Sequence, residues 1–162
     1  MGLKQSPATN DYWADFVTAT GNVGADYTVV TFGHTTAMAN ELVALVISGK
    51  KRATTSLLLE YATGYEPVPQ MGDFIVVVDG GSRPRCIWRT TQIVVKPLID
   101  VDDAFAWDEG EGDRTRDTWL SAHREYFSAQ AQREGFAMCD TIEAVFERFE
   151  IVWPPDVADL TL

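Results

Sequence analysis

Two apolar runs in the middle of the chain constrain its fold more than any other feature. Residues 74–79 (FIVVVD) and 85–95 (RCIWRTTQIVV) are rich in β-branched and aromatic residues, and the segment 80–84 (GGSRP) separates them. Runs of this composition are typical of strands, and a Gly/Pro segment between them is typical of a turn. The sequence therefore predicts a central β-hairpin.

Helical and extended patterns alternate on both sides of this hairpin. Helices are predicted where apolar residues recur with helical spacing and a glycine follows, and strands where β-branched and aromatic residues cluster. The helices are 11–20 before Gly21, 37–48 after a Thr35 or Thr36 cap and before Gly49, and about 115–133 before Gly135; the strands are 27–32 and 144–153, the latter with Val145, Phe149 and Ile151 facing inward. Strands before, between and after helices indicate an α+β fold around a small barrel.

The length of 162 residues favours one domain, 1–162. We divide it into an N-terminal helical segment 11–24, a core 27–153 and a tail 154–162. Cys86 and Cys139 lie far apart and neither belongs to a CxxC pair, which argues against a zinc ribbon or a disulfide framework and favours a reducing cytoplasm. No apolar run is long enough to cross a bilayer, so we expect no membrane partner.

Charge limits the kind of ligand that the chain can bind. Thirteen basic residues stand against 24 acidic ones, a net charge of −11, and residues 100–117 alone contain eight acidic and two basic residues. A protein of this charge repels phosphate backbones. We therefore expect a small nucleoside or a short RNA as partner, and no DNA.

The dense basic cluster of the chain, KKR at 50–52, follows Gly49. Cations at the end of a helix complement its carbonyl dipole, and that is one interpretation of the cluster. The other interpretation is chemical. If Lys51 were partly desolvated and its pKa lowered, it could take the hydroxyl proton of Thr54 and make it a nucleophile, provided that the chain turns between them.

Three carboxylates interleaved with glycines, EGEGD at 109–113, predict a shaped turn or loop. A solvated acidic cap for the next helix, with Asp113 as N-cap, is the alternative. An EF-hand is excluded, because Arg114 stands where such a loop starting at Glu109 needs glycine and Leu120 where it needs its closing glutamate. We expect no metal ion and no cofactor.

The remaining candidates carry weaker signals. A nucleophile–base pair of Cys86 and His123 has no local signature, since Cys86 lies in an apolar strand. Arg89, between Trp88 and Thr90, could face a cleft. The aromatic residues at strand and helix spacing are more often core than a stacking surface.

Four stretches together resemble the ASCH-domain family. They are FGHTTAMANELVALVISGKKRATTSL, GDFIVVVDGGSRPRCIW, AWDEGEGDRTRDTWLSAHREYF and VFERFEIV, and the resemblance runs from about Tyr27 to Val152. The GxKxxT motif of the family is carried by Gly49, Lys51 and Thr54. The EGEGD run, followed by Trp119 and His123, looks like a longer branch of the family.

The resemblance implies a PUA-like β-barrel with helices and a cleft beside GxKxxT. Family members include amidohydrolases that act on cytidine acylated at its exocyclic amine, and others described as ribonucleases. Carried over, the catalytic residues are Lys51, Thr54 and an acidic partner, Glu109 or else Glu111. The expected substrate-binding residues are Gly49, Arg52, Thr55, Ser56, Arg89, Glu111, Asp113 and His123.

Three functions remain open from the sequence. The first is a hydrolase of an acylated nucleoside, with Thr54 as nucleophile, Lys51 as base and Glu109 as proton relay. The second is a metal-independent ribonuclease in which Lys51 and Arg52 hold a phosphate. The third is a non-catalytic reader of RNA or of a nucleotide-like ligand.

Overall fold

A computed structural model describes residues 2–64 and 66–159, and within them the chain forms six strands and four α-helices. Two short 3-10 helices, Leu58–Tyr61 and Leu98–Asp100, connect neighbouring elements. The α-helices are α1 (Pro7–Thr20), α2 (Thr36–Ile47), α3 (Asp103–Glu109) and α4 (Arg116–Glu134). The strands are β1 (Gly2–Leu3), β2 (Tyr27–Val30), β3 (Ala53–Leu57), β4 (Phe74–Val78), β5 (Pro84–Pro97) and β6 (Glu143–Trp153).

The strands form one mixed sheet in the order β1-β2-β4-β5-β6-β3. The β2–β4 pair is parallel and the other pairs are antiparallel. The predicted hairpin is β4–β5, and β5 continues past it to pair along β6. The expected α+β class is confirmed. In this order β3 lies at the edge of the sheet, and its five residues are buried.

Helices cover the sheet on both faces. On one face, Val43 and Val46 of α2 pack with Trp88 and Phe149 in a buried cluster. On the other face, Phe105 of α3 and side chains of α4 pack on β3 and β6. The cluster there comprises Ala53, Leu57, Leu98, Val101, Phe105, Ala106, Trp119, Leu120, Phe127, Ala144 and Phe146. The sheet thus fixes β3 between α2 and the α3–α4 pair.

The first helix begins earlier than its apolar pattern predicts. The Ser6 side chain accepts a hydrogen bond from the Thr9 amide, and Pro7 occupies the first helical turn. Both residue types favour a helix start at these positions. The predicted end is correct, since Gly21 follows the helix in the left-handed conformation. The sequence signal for the true start was the Ser6-Pro7 pair.

The acidic segment 100–117 contains a short helix, α3, immediately before the turn predicted at 109–113. Asp102 caps α3 by accepting a hydrogen bond from the Phe105 amide, and α3 ends at Glu109 before left-handed Gly110. The interleaved glycines therefore lie between two helices.

No helix in the described ranges, 2–64 and 66–159, combines the length and apolar character that a membrane crossing requires.

Candidate functional site

A cavity of about 510 Å³ lies where the edge strand β3 meets α4. Its walls come from the loop after β2, the start of α2, the segment 51–56, the glycine-interleaved segment after α3, and one side of α4. The lining residues that carry the argument below are Phe32, Lys51, Thr54, Glu109, Glu111 and His123. Residues that lie far apart in the sequence therefore converge on one cavity.

Lys51 lies in the turn between α2 and β3. Gly49, with φ 88°, reverses the chain after the helix, and the Lys51 amide donates to the Leu45 carbonyl. The side chain is 1% exposed, and its Nζ lies 3.2 Å from Glu109 Oε1 and 3.2 Å from Glu111 Oε2. The sequence requirement for a turn at Gly49 is therefore met, and the ammonium is buried between two carboxylates.

The ion pairs decide the charge of Lys51. Burial alone would lower the pKa of the Lys51 ammonium, but the charges of Glu109 and Glu111 outweigh it and raise the pKa. A lysine base requires a lowered pKa, so the expectation of a lowered pKa at Lys51 is wrong. Lys51 is a fixed cation, suited to stabilising negative charge rather than to taking a proton.

Gly110 lets the acidic segment approach Lys51 closely. A Cβ at this position would lie 2.3 Å from the Lys50 carbonyl oxygen, and the residue has φ 73°. Any side chain would both strain the backbone and push the segment away. Gly110, between the two glutamates, thus allows the acidic segment to contact the backbone of residues 50–51 directly.

Glu109 is the centre of the buried charge network. Its Oε1 pairs with Lys51, and its Oε2 accepts from Thr55 Oγ1 at 3.3 Å and from the indole N–H of Trp119, with His123 Nε2 at 3.1 Å. Burial would raise the pKa of this carboxyl, but the charges of Lys51 and His123 lower it well below its usual range. Glu109 is therefore ionised, and its oxygens are occupied by protein donors.

His123 is positioned as a second cation. Its Nδ1 lies 2.8 Å from the Trp119 carbonyl oxygen, and its Nε2 faces the Glu109 carboxylate. Both neighbours accept hydrogen bonds only, so both ring nitrogens carry a proton. Burial would lower the pKa of His123, but Glu109 raises it. Two cations, Lys51 and His123, thus balance the carboxylates of Glu109 and Glu111.

Thr54 and Thr55 point to opposite faces of β3. In the β3–β6 ladder Thr54 is paired with Glu147, and Thr55 with Phe146. Thr55 faces α3 and α4, where its hydroxyl donates to Glu109. Thr54, 4% exposed, lines the cavity from the other face of the strand. Lys51 Nζ lies 5.5 Å from the Phe32 ring centroid in the same cavity.

Several expected binding residues serve other contacts. The Arg52 guanidinium pairs with Asp159 at 2.8 Å and donates to the Val46 and Lys51 carbonyls. Arg89 pairs with Glu150 on the neighbouring strand.

Two more of the expected binding residues also contact other side chains: Asp113, in the loop before α4, and Ser56, on β3. Asp113 accepts from Thr115 and Thr118 at the start of α4, where Thr115 rather than Asp113 is the N-cap. Ser56 lines the cavity, and its hydroxyl contacts that of Tyr61 at 2.7 Å. Of the expected residues, the structure brings Lys51, Thr54, Thr55, Ser56, Glu109, Glu111 and His123 to the cavity, and leaves Gly49, Arg52, Arg89 and Asp113 outside its lining.

The donors that could hold a metal ion belong to this same network. One donor atom each from Glu109, Glu111 and His123 lies within 4.8 Å of the others. The Lys51 ammonium already bridges the two carboxylates. A divalent cation would have to displace this ammonium and deprotonate His123, so the residues present fit an internal ion network better than a metal centre.

Sequence reasoning missed two features, a buried carboxylate on β6 and an aromatic contact in the cavity wall. Glu147 is 4% exposed on β6, and its Oε1 accepts from Thr90 Oγ1 at 2.6 Å and from Trp88 Nε1 at 3.3 Å. The two-residue alternation that predicts Val145, Phe149 and Ile151 as inward places Glu147 inward too, so a signal was present. The second feature, the contact of His34 with Tyr126 at 4.9 Å between ring centroids, joins distant segments and had no sequence signal.

Comparison with known proteins gives the family. The ASCH-domain family model matches residues 28–153. A crystal structure of an ASCH domain from Lactobacillus crispatus is 27% identical with a TM-score of 0.82, over 92% of this chain and 96% of that one. A crystal structure of a protein from Enterococcus faecalis is 30% identical with a TM-score of 0.81, over 88% of this chain and 86% of that one. No curated protein matches by sequence. The chain belongs to the ASCH-domain family, a PUA-like fold of the RNA-binding type.

Proposed function

We propose that the chain is a hydrolase that removes the acyl group from the exocyclic amine of a cytidine-type nucleoside. The observation that carries the proposal is the Lys51 ammonium, fixed by buried Glu109 in a cavity that Thr54 also lines. A hydroxyl nucleophile beside a fixed cation suits acyl transfer, because the cation stabilises the oxyanion that forms.

In this reaction the Thr54 oxygen attacks the acyl carbonyl carbon and loses its proton. Lys51 stabilises the negative charge that develops on the carbonyl oxygen. The bond from carbon to the exocyclic nitrogen then breaks, the nitrogen takes a proton, and the acyl group remains on Thr54 until water hydrolyses the ester. Glu109 is a positioning residue here, since its oxygens hold Lys51, Thr55, Trp119 and His123.

The size and charge of the cavity support an uncharged nucleoside. About 510 Å³ lies within the range of roughly 300–1,000 Å³ that is common for small-molecule pockets. Among its described lining residues, five glutamates stand against three cations: Glu60, Glu109, Glu111, Glu125 and Glu134 against Lys51, Arg133 and protonated His123. This balance opposes a phosphate and so argues against a chain of RNA in the cavity.

The free thiols of Cys86 and Cys139 support a cytoplasmic location.

The experiment supplies the purified chain with N4-acetylcytidine and, separately, with a single-stranded RNA oligonucleotide, each with and without a chelator. We expect release of cytidine and acetate that the chelator does not change, and intact RNA. The matched control pair is Lys51→Ala, which should abolish hydrolysis, and Lys50→Ala, an exposed neighbour that should retain it. Cleavage of RNA with N4-acetylcytidine left intact would instead establish the ribonuclease.

Binding measurements separate the same two functions. A protein that holds several phosphates of a single strand loses affinity with salt by a log–log slope of roughly −0.7 per contact. We expect weak RNA binding with a shallow slope, and nucleoside binding that salt barely changes. Tight RNA binding with a slope worth more than about three contacts would contradict the small-ligand proposal.

A further inference from the structure

The cavity extends beyond the proposed reacting groups along one face of α4. The α4 side chains that line it follow one another at intervals of three or four residues: His123, Phe127, Gln130 and Glu134. Residues at these intervals share one face of a helix. The first of them, His123, adjoins the Glu109 carboxylate. The far end begins at Gln130, about 10 Å along the helix, and takes no part in the proposed reaction.

Three polar side chains form this far end. Gln130 is 6% exposed, and its Nε2 donates to Glu134 Oε2 at 3.0 Å. Glu60, from the 3-10 helix after β3, also lines the cavity, and its Oε2 accepts from the Leu57 amide. Burial raises the pKa of Glu60, hydrogen bonding with Gln130 lowers it, and the charge of Glu134 raises it further. Glu60, Gln130 and Glu134 are therefore neighbours.

The buried amide of Gln130 keeps an acceptor that no protein group uses. A glutamine side chain offers two N–H donors and one carbonyl oxygen, and Glu134 takes one of the N–H groups. Within residues 2–64 and 66–159, the carbonyl oxygen Oε1 accepts no hydrogen bond. No fully enclosed side-chain nitrogen or oxygen in these ranges lacks a partner. The free oxygen of Gln130 is therefore open to the cavity that this residue lines.

The order of chemical groups along α4 matches an acylated cytidine that lies lengthwise in the cavity. The exocyclic amine and the ribose of cytidine are attached at opposite sides of the pyrimidine ring. When the acyl amide lies at Lys51 and Thr54, the ring lies beside Tyr126 and Phe127, two aromatic residues of the lining. The ribose then reaches Gln130.

We propose, resting on the hydrolase function above, that Glu60, Gln130 and Glu134 form a subsite for the ribose of the substrate. The ribose hydroxyls donate to the two carboxylates and to the carbonyl oxygen of Gln130. Arg133, an exposed cation, lines the same end, but two carboxylates oppose a phosphate there. The subsite thus selects an uncharged nucleoside over a free base and over a nucleotide.

The kinetic test compares N4-acetylcytidine with N4-acetylcytosine, which has the same amide and ring but no ribose. The wild type should favour the nucleoside in kcat/KM by at least about tenfold, since a site that pairs with hydroxyls discriminates against an analogue without them. Gln130→Ala and Glu134→Ala should lower kcat/KM for the nucleoside and leave that for the free base unchanged. Gln132→Ala, an exposed glutamine of α4 outside the cavity lining, should change neither.

A purely structural role for these side chains gives a different result. A variant that only distorts α4 lowers kcat/KM for both substrates by the same factor, because both depend on Lys51 and Thr54. Equal losses for the two substrates, or a wild type that turns over both without preferring the nucleoside, would overturn the subsite.

Binding of the product separates the subsite from the hydrolase on which it rests. Isothermal titration calorimetry measures the affinity for cytidine, cytosine and cytidine 5′-monophosphate without turnover. Cytidine should bind at least about tenfold more tightly than the other two, and Glu134→Ala should reduce its advantage over cytosine. If N4-acetylcytidine stays intact but this preference is present, the hydrolase is wrong and the subsite stands. Equal affinities for cytidine and cytosine, tighter binding of the monophosphate, or no binding of any of them would overturn the subsite.

Discussion

Replacing Glu109 by glutamine tests the buried charge network most severely. Glu109 accepts from Lys51, Thr55 and Trp119 and pairs with His123. Glutamine offers one acceptor oxygen, and its amide group would face donors on the other side. Lys51, 1% exposed, would keep Glu111 as its carboxylate partner.

The magnitude follows from this geometry. Removing one partner of a buried ion pair typically destabilises a protein by about 3–5 kcal/mol, because the other charge stays buried. For a domain of this size, each kcal/mol lowers Tm by about 2–4 °C. We therefore expect Glu109→Gln to lower Tm by roughly 6–20 °C at pH 7, measured by thermal unfolding, with the loss of unfolding free energy measured by urea titration.

Glu111→Gln is the matched control. Its carboxylate also lies 3.2 Å from Lys51 Nζ, but its side chain is 35% exposed. Partly solvated pairs contribute about 0–1 kcal/mol, so this variant should unfold within a few degrees of the wild type. Equal losses for the two variants, or no loss for Glu109→Gln, would refute the assignment of the buried charge to Glu109.

The lowered pKa of Glu109 also determines how its contribution to the free energy of unfolding changes with pH. The pKa of Glu109 is lowered in the folded state, so its contribution is present above the unfolded value of about 4.5 and is lost as pH falls through the folded value. The difference in unfolding free energy between wild type and Glu109→Gln should therefore shrink in acid.

Two further predictions concern stability away from Lys51. Burial raises the pKa of Glu147 from 4.5 to about 7. The free energy of unfolding of the wild type should therefore fall by about 3 kcal/mol relative to that of Glu147→Gln as pH rises from about 4.5 to about 7. Urea unfolding measures this difference, and a constant difference would contradict the buried placement. Asp159 accepts from Arg52 and from the Ile151 amide, so Asp159→Asn should weaken hydrogen-exchange protection at Ile151, and unchanged protection would show that this contact does not hold β6.

The sequence predicts elements well where one local pattern decides the structure. The β4–β5 hairpin follows from two β-branched runs and a Gly/Pro turn, and α2 follows from Thr35 and Gly49 at its ends. The family's GxKxxT motif led to Lys51 and Thr54, which the structure places in one cavity. Such signals lie within a few residues and need no knowledge of packing.

The remaining features depend on packing between distant segments. Lys51 and Arg52 are adjacent cations in the sequence, yet one enters the cavity and the other pairs with Asp159. Nothing local separates them, because the direction of each side chain is set by how β3 pairs with β6. The charge of Lys51 was mistaken for the same reason, since two glutamates about sixty residues away determine it.

The acidic segment shows a different limit. The run EGEGD at 109–113 predicts a turn or loop, but α3 extends to Glu109 and delivers this residue to the core. The cap at Asp102 and the apolar contacts of Phe105 decide this helix. The cap is local, whereas the Phe105 contacts require the β3–β6 surface on which the segment packs.

The most direct test of the proposed chemistry is the rate of cytidine release from N4-acetylcytidine by the wild type, Thr54→Ala and Thr28→Ala. Thr28 is an exposed strand residue outside the cavity and provides a matched loss of the same side chain. The nucleophile assignment predicts that Thr54→Ala releases cytidine at least about a hundredfold more slowly while Thr28→Ala matches the wild type. Equal rates for Thr54→Ala and the wild type, or a wild type that releases no cytidine, would contradict it.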